Sequence, residues 1–301
     1  MEHITVSKGS PCLGFGASAA LDNGRLLLWH GGCPAVGPPS DALAIFDAAH
    51  EQWYSFGGGP ARSHHGAFVS DERYVHIVGG WDGGKRRCDV STFDTRNGVW
   101  IRKEDVPSGF PEGGGLSSHT VNGFSTASGK AGAAIIGRLG GLRTQRCHSA
   151  LLILEGATQL LLFGGRADAF VGIQIETVDI PGGNPPLQQP CFKRTALEFT
   201  GRPCPEMALS GRRYQAACML SDRSFLLHGG EPFGRMMIGQ NSLSSEVWLL
   251  DRKGKRVKIS APELPPLSGH AMIPIVGGEK VAIVGGITSN GDINTDVFIL
   301  S

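Results

Sequence analysis

The chain is expected to be all-β, built as six repeated units that are four-stranded when complete, and three observations predict this. An apolar strand runs into a pair of glycines five times: Leu26 to Gly32, Val75 to Gly80, Leu160 to Gly165, Phe225 to Gly230 and Val281 to Gly286. Each of these strands follows a polar turn and another apolar strand, so every unit begins with a hairpin. Further on, Asp47 precedes Trp53 by six residues and Asp94 precedes Trp100 by six, while Asp251 reaches Val257 at the same offset.

The elements follow in order along each unit. The hairpin turns Asp22-Asn23-Gly24-Arg25, Ser70-Asp71-Glu72-Arg73, Ser221-Asp222-Arg223-Ser224 and Gly277-Gly278-Glu279-Lys280 are rich in residues that tolerate positive φ or cap their own backbone. After the glycine pair comes a variable loop, then a third strand such as Ala42 to Phe46, Val90 to Phe93 or Val247 to Leu250. The aromatic after the Asp marks a fourth. First glycines at 31, 79, 164, 229 and 285 leave gaps of 48, 85, 65 and 56 residues. The long gap holds the sixth unit, whose strand Ala133 to Ile136 enters Gly137-Arg138, with the second glycine replaced.

Glycine pair, Asp and Trp recurring in fixed order make the chain resemble the kelch-repeat family, and the resemblance covers essentially its whole length. It implies a β-propeller whose units are blades around a ring. Glycine would let strands and blades approach where a Cβ would clash, and Trp53 and Trp100 would fill the wedges between blades. The stretches Arg62-Ser63-His64-His65, Val78-Gly79-Gly80-Trp81-Asp82-Gly83, Gly115-Leu116-Ser117-Ser118-His119-Thr120 and Thr144-Gln145-Arg146 resemble one branch of that family. Members of the branch carry a longer segment after the Thr-Gln-Arg stretch, whereas here Arg146 runs straight into Cys147-His148-Ser149-Ala150-Leu151. From Gly137 to Gly164 is 27 residues, room for the first two strands of the third unit and not for its outer pair. The third blade is therefore expected to be incomplete, with an exposed strand edge. At the ends, Thr295 to Ser301 reads as a third strand with no fourth after it. Ile4-Thr5-Val6-Ser7 is expected to supply that outer strand and close the ring.

Composition predicts one water-soluble domain over residues 1–301, monomeric by itself and cytoplasmic. The 45 glycines are punctuated by apolar strands and do not form low-complexity sequence. Lys+Arg 28 against Asp+Glu 27 provides no global field to attract nucleic acid or an anionic membrane, so neither is an expected partner. Met1-Glu2-His3-Ile4 has no basic region leading into an apolar core, and no apolar run approaches membrane-spanning length. Seven cysteines, an odd number without close pairs, do not suggest a disulfide framework.

No enzyme is expected, and no cofactor or metal. Gly14-Phe15-Gly16-Ala17-Ser18-Ala19 matches a dinucleotide fingerprint in letters alone, since strand, turn and strand follow it instead of a helix. Gly123 to Lys130 is one residue too long for a phosphate loop and puts Ala131 where a hydroxyl would hold magnesium. Copper oxidases exist among kelch propellers, but they are secreted and use several tyrosines at the metal. This chain has Tyr54, Tyr74 and Tyr214. His65, His119, His148 and His270 recur near the starts of the unit hairpins and read as structural, bonding backbone at the blade start.

Arginine is the better functional clue. Arg62, Arg146 and Arg212-Arg213 lie at the turns leading into the second, fourth and fifth units. By the resemblance these lead-in turns ring one mouth of the central channel, so Arg62, Arg146, Arg212 and Arg213 would surround a pocket. Trp81, Phe233 and Arg235 would join from loops after the glycine pairs. The planar guanidinium fork suits a carboxylate-bearing peptide; the alternative is a set of solvated or internally paired arginines. The expected function is a non-enzymatic interaction module that binds a partner protein or peptide, such as an acidic segment, on one face. Two alternatives are a structural subunit of a cytoskeletal or ciliary assembly and a substrate-recognition subunit of a ubiquitin ligase acting through a separate adaptor. No BTB-like region is present for the latter.

Overall fold

In a computed structural model of the protein, residues 4–106, 115–125, 131–136, 150–153, 159–163, 176–179, 212–232, 243–250 and 256–301 are described. Strand β1 (Ile4–Lys8) precedes the first unit, whose sheet runs β2 (Ala17–Leu21), β3 (Leu26–His30), β4 (Leu43–Asp47) and β5 (Gln52–Phe56) in sequence order. The second sheet has the same order: β6 (Gly66–Ser70), β7 (Tyr74–Trp81), β8 (Arg86–Asp94) and β9 (Val99–Asp105). Strands β10 (Thr120–Ser125) and β11 (Ala131–Ile136) form a two-stranded sheet among the described residues, and 137–149 lie outside them. A three-stranded sheet follows: β12 (Ala150–Ile153), β13 (Gln159–Phe163) and β14 (Glu176–Asp179). The short β15 (Arg212–Arg213) pairs with β18 (Glu231–Pro232). Between and after them β16 (Ala216–Met219), β17 (Phe225–His228), β19 (Val247–Leu250) and β20 (Arg256–Ile259) make another four-stranded sheet.

The last sheet is β21 (Leu267–Ile275), β22 (Lys280–Thr288) and β23 (Asp296–Leu300), completed by β1. Ile4 lies opposite Leu300 and Lys8 opposite Asp296, antiparallel, so the N-terminal strand closes the ring as its sequence position implies. The first strands touch in cyclic order: β2 with β6, β6 with β10, β10 with β12, β12 with β16, β16 with β21, and β21 back to β2. The fold is a β-propeller.

The core lies between blades. Leu28, Leu43 and Ile45 of the first sheet pack with Val75, Ile77 and Phe93 of the second, and Trp100 sits against this cluster. Leu27, Trp29 and Phe46 pack with Ile273, Val284 and Val297 of the last sheet, with Trp53 against them. Trp53 and Trp100 thus fill wedges between blades, as expected. The Asp six residues upstream has its own task. Asp47 Oδ1 accepts the N–H groups of Ala49 and His50, and Asp94 Oδ1 those of Arg96 and Asn97, capping the turn to the fourth strand.

The glycine pairs stitch one blade to the next. The N–H of Gly32 donates to the Arg62 carbonyl (2.8 Å), that of Gly80 to Leu116 (2.7 Å), Gly230 to Leu267 (2.8 Å) and Gly286 to Leu13 (3.3 Å). At Gly32, φ is +97° and a Cβ would stand 2.6 Å from the Gly14 carbonyl oxygen, so no other residue fits without movement.

Candidate functional site

The described lead-in turns are equivalent segments whose backbone forms a chain of bonds from one blade to the next. Phe15 N–H donates to the Gly269 carbonyl, His64 to Phe15, Ser118 to His64 and Gly269 to Tyr214. Phe15, His64, Ser118 and Tyr214 all have φ between +53° and +57°, a costly conformation for such residues that the bond chain holds in place. Three of them carry rings that gather together: Phe15 stacks on His64 at 4.5 Å and meets Tyr214 edge-on at 4.8 Å. The Phe15 ring lies over Gly269, where a Cβ would stand 2.4 Å from it. Sequence reasoning missed this aromatic group. Its signal was the third position of each lead-in turn, visible only once the turns are aligned from structure.

The described arginines at these turns, Arg62, Arg212 and Arg213, are held by the protein's own carboxylates. Arg62 is 3% exposed; its Nη2 donates to Asp89 Oδ2 (2.8 Å) and Glu104 Oε1 (2.6 Å), and its Nη1 to the Ala61 carbonyl. Arg212 donates to Glu246 (2.6 Å) and the Gly229 carbonyl, and Arg213 Nε to Glu231 (2.8 Å), whose other oxygen accepts from Ser268. The alternative of internally paired arginines describes Arg62 and Arg212. Their forks are occupied because acidic residues of the same blades reach back to the turn: Asp89 on the third strand, Glu104 on the fourth, and Glu246 immediately before the third strand β19. Nothing in the spacing of these acids marked them.

Arg62 lines an open cleft of about 380 Å³ with Gly58, Gly59, Pro60, Ala61, Asp82 and Glu104, whereas Arg212 lines a separate small one with Gln215, His228, Glu246 and Trp248. Among the described residues these two clefts are separate. Arg87 extends the ion network at the larger cleft, 3.4 Å from Glu104 and 3.6 Å from Asp82. The Arg62 guanidinium holds the Glu104 carboxyl below its ordinary range, and the Lys85 N–H does the same for Asp82. Lys258, with Arg212 and Trp248, lowers Glu246 to about 2.

Trp81 is not in a loop: it ends β7 and pairs with Arg86. Two backbone bonds fasten it to the lead-in turn, Ser63 N–H to the Trp81 carbonyl (3.0 Å) and Trp81 N–H to that of Ser63 (2.8 Å). Its side chain is exposed, at 38% for the residue. Arg146, Phe233 and Arg235 lie outside the described residues.

The recurring histidines correct another expectation. His65 Nε2 lies 3.0 Å from His30 Nδ1, and His270 Nε2 3.0 Å from His228 Nδ1, so both bond a neighbouring blade's imidazole instead of backbone. The reason is that the residue before the glycine pair in the preceding unit is itself His30 or His228. His119 is buried with neither ring nitrogen hydrogen-bonded among the described residues, and His148 lies outside them. Burial lowers His30 to about 3 and His119 and His228 to about 4, and carries His65 and His270 well below the ordinary range. Among the described residues no group of three or more His, Cys, Asp or Glu is placed to hold a metal.

Comparison with known proteins agrees with this architecture. The chain is 39% identical over 119 residues to Kelch domain-containing protein 9 of Homo sapiens and 37% identical over 119 residues to that of Mus musculus. These matches take in 39% of this chain, and the chain spans about a third (33%) of the length of these curated relatives. The solved structure of YjhT superposes with a TM-score of 0.67 at 15% identity, over 96% of this chain and 95% of that one, a likeness of fold. No protein-family model matches.

Proposed function

We propose that residues 1–301 form one six-unit kelch-type propeller domain that acts without chemistry of its own, as an interaction module binding a segment of a partner protein on the lead-in face. The carrying observation is Trp81: a large aromatic exposed on that face, held rigid by Ser63 and followed directly by Asp82 of the larger cleft. An exposed, preorganised Trp beside a polar rim has the make-up of an interface anchor. Of the described arginines, Arg213 is best placed to meet a partner's carboxylate. Its side chain is 27% exposed, with Nε on Glu231 and the guanidinium 5.4 Å from the Tyr214 ring. The proposal extends to Arg146, Phe233 and Arg235 as further contacts; these three lie outside the described residues.

The test is quantitative affinity capture from cell lysate with the tagged chain, run beside Trp81→Ala and Arg213→Ala variants whose folding is checked by circular dichroism. Selective loss of one partner from a folded variant supports the reading. Identical partner sets from all three proteins refute it and move the binding surface to the opposite, hairpin-turn face.

A further inference from the structure

The joints between blades are not alike. At corresponding places, the residue before a glycine pair meets a residue of the next lead-in turn. Between the first and second blades these are His30 and His65; between the fifth and sixth they are His228 and His270. Where the last blade meets the first, the corresponding residues are Val284 and Gly16, and the Trp29 ring fills the space over Gly16. Two of the joints therefore close on a hydrogen bond between imidazoles, and this third one closes on apolar packing.

An imidazole pair can bond only while one ring nitrogen remains an unprotonated acceptor. His30 and His228 are 0% and 2% exposed, His65 and His270 5% and 8%, so a proton arriving at either member finds no water to share its charge. The charged neighbours oppose it further. Arg62 faces the first pair, with His64 and His119 beside His65, and Arg212 faces His228. The carboxylates that hold these arginines, Asp89, Glu104 and Glu246, hydrogen-bond to the guanidinium groups and not to the imidazoles. Among the backbone bonds that cross these joints, Gly32 to Arg62 and Gly230 to Leu267 lie next to the paired histidines.

We infer that, among its described joints, the propeller carries two acid-sensitive ones closed by imidazole pairs, between its first and second and its fifth and sixth blades, which open locally on imidazole protonation before the joint between the last and first blades does. Opening admits water, restores ordinary proton affinity to both rings of a pair, and takes up protons in doing so. The low proton affinity of all four buried histidines agrees with this direction. The first joint carries the Arg62-Ser63 turn that fastens Trp81, so its opening loosens that turn. The inference stands on the joints themselves and does not depend on what binds there.

The experiment is site-resolved amide hydrogen exchange on the full chain from pH 7 to pH 5, expressed as protection factors corrected for intrinsic exchange. The amides of Gly32 and Gly230 should lose protection relative to Gly286 by up to about tenfold per pH unit for each histidine that titrates below its ordinary value near 6.5. His270→Gln should remove part of the dependence at Gly230 and leave Gly32 unchanged. If that variant does not fold, His228→Gln tests the same joint from its other side. The inference is overturned if the three glycines lose protection together, if none changes before global unfolding, or if the variant leaves Gly230 as pH-dependent as before.

Discussion

Replacing Arg62 by alanine removes a guanidinium that is almost wholly enclosed and leaves two carboxylates behind in unequal positions. The Glu104 side chain is 47% exposed and can recover water; that of Asp89 is 4% exposed and cannot. Asp89 Oδ2 loses its 2.8 Å bond, and the remaining cation near Asp89 is Arg87, 3.5 Å from Oδ1. Removing one partner of a buried ion pair costs about 3–5 kcal/mol, mostly through the charge left unpaired. The exposed pair Arg25–Asp22, with side chains 59% and 58% accessible, provides the contrast, and Arg25→Ala should change stability by less than about 1 kcal/mol. Urea unfolding of both variants measures this as a lower midpoint at unchanged slope for Arg62→Ala. The cycle with Asp89→Ala isolates the pairwise part, expected to exceed about 1 kcal/mol. A loss below about 1 kcal/mol at Arg62, or no coupling to Asp89, would refute the assignment of this arginine to the interior and return it to the set available to a partner. The same reasoning makes Arg62 a poor probe of binding, since its loss perturbs the blade.

Three further outcomes follow from the geometry. Deleting residues 1–8 removes the strand that pairs with β23 from Ile4 to Lys8, and a fall in melting temperature of at least several degrees is expected by calorimetry; an unchanged transition would contradict ring closure by this strand. Gly32→Ala places a Cβ 2.6 Å from the Gly14 carbonyl oxygen at φ +97°, which should cost about 1–3 kcal/mol for the backbone conformation alone, read by the same urea titration. Acid should destabilise the fold in two stages. The buried histidines are neutral when folded and bind protons near pH 6.5 when unfolded, so stability falls as pH drops from about 6.5 towards 4, by at most about 1.4 kcal/mol per unit for each histidine. Asp94, held at about 2 by Arg73, and Glu246, held at about 2, continue the loss from about pH 4 towards 2; flat stability between pH 7 and 5 would argue against the first stage.

The sequence by itself determined the class, the repeat and the closure. Glycine pairs, hairpin turns and the Asp-to-Trp spacing are local signals, because the backbone at Gly32 or Asn23 must take a left-handed φ whatever surrounds it, and Asp47 and Asp94 cap turns within three residues of themselves. Ring closure was legible too, as a unit short of one strand at one end and a spare strand at the other. What only the tertiary structure decided was which side chain meets which. Arg62 finds Glu104 42 residues away, His228 finds His270 at the same separation, and Phe15 reaches Tyr214 across the ring. Partners this remote in sequence are set by how blades pack around a closed ring, and no local pattern encodes them. The places of Arg62, Arg212 and Arg213 in the repeat were readable from the sequence, while their occupation by the protein's own carboxylates, and the exposure of Trp81, came from the packing.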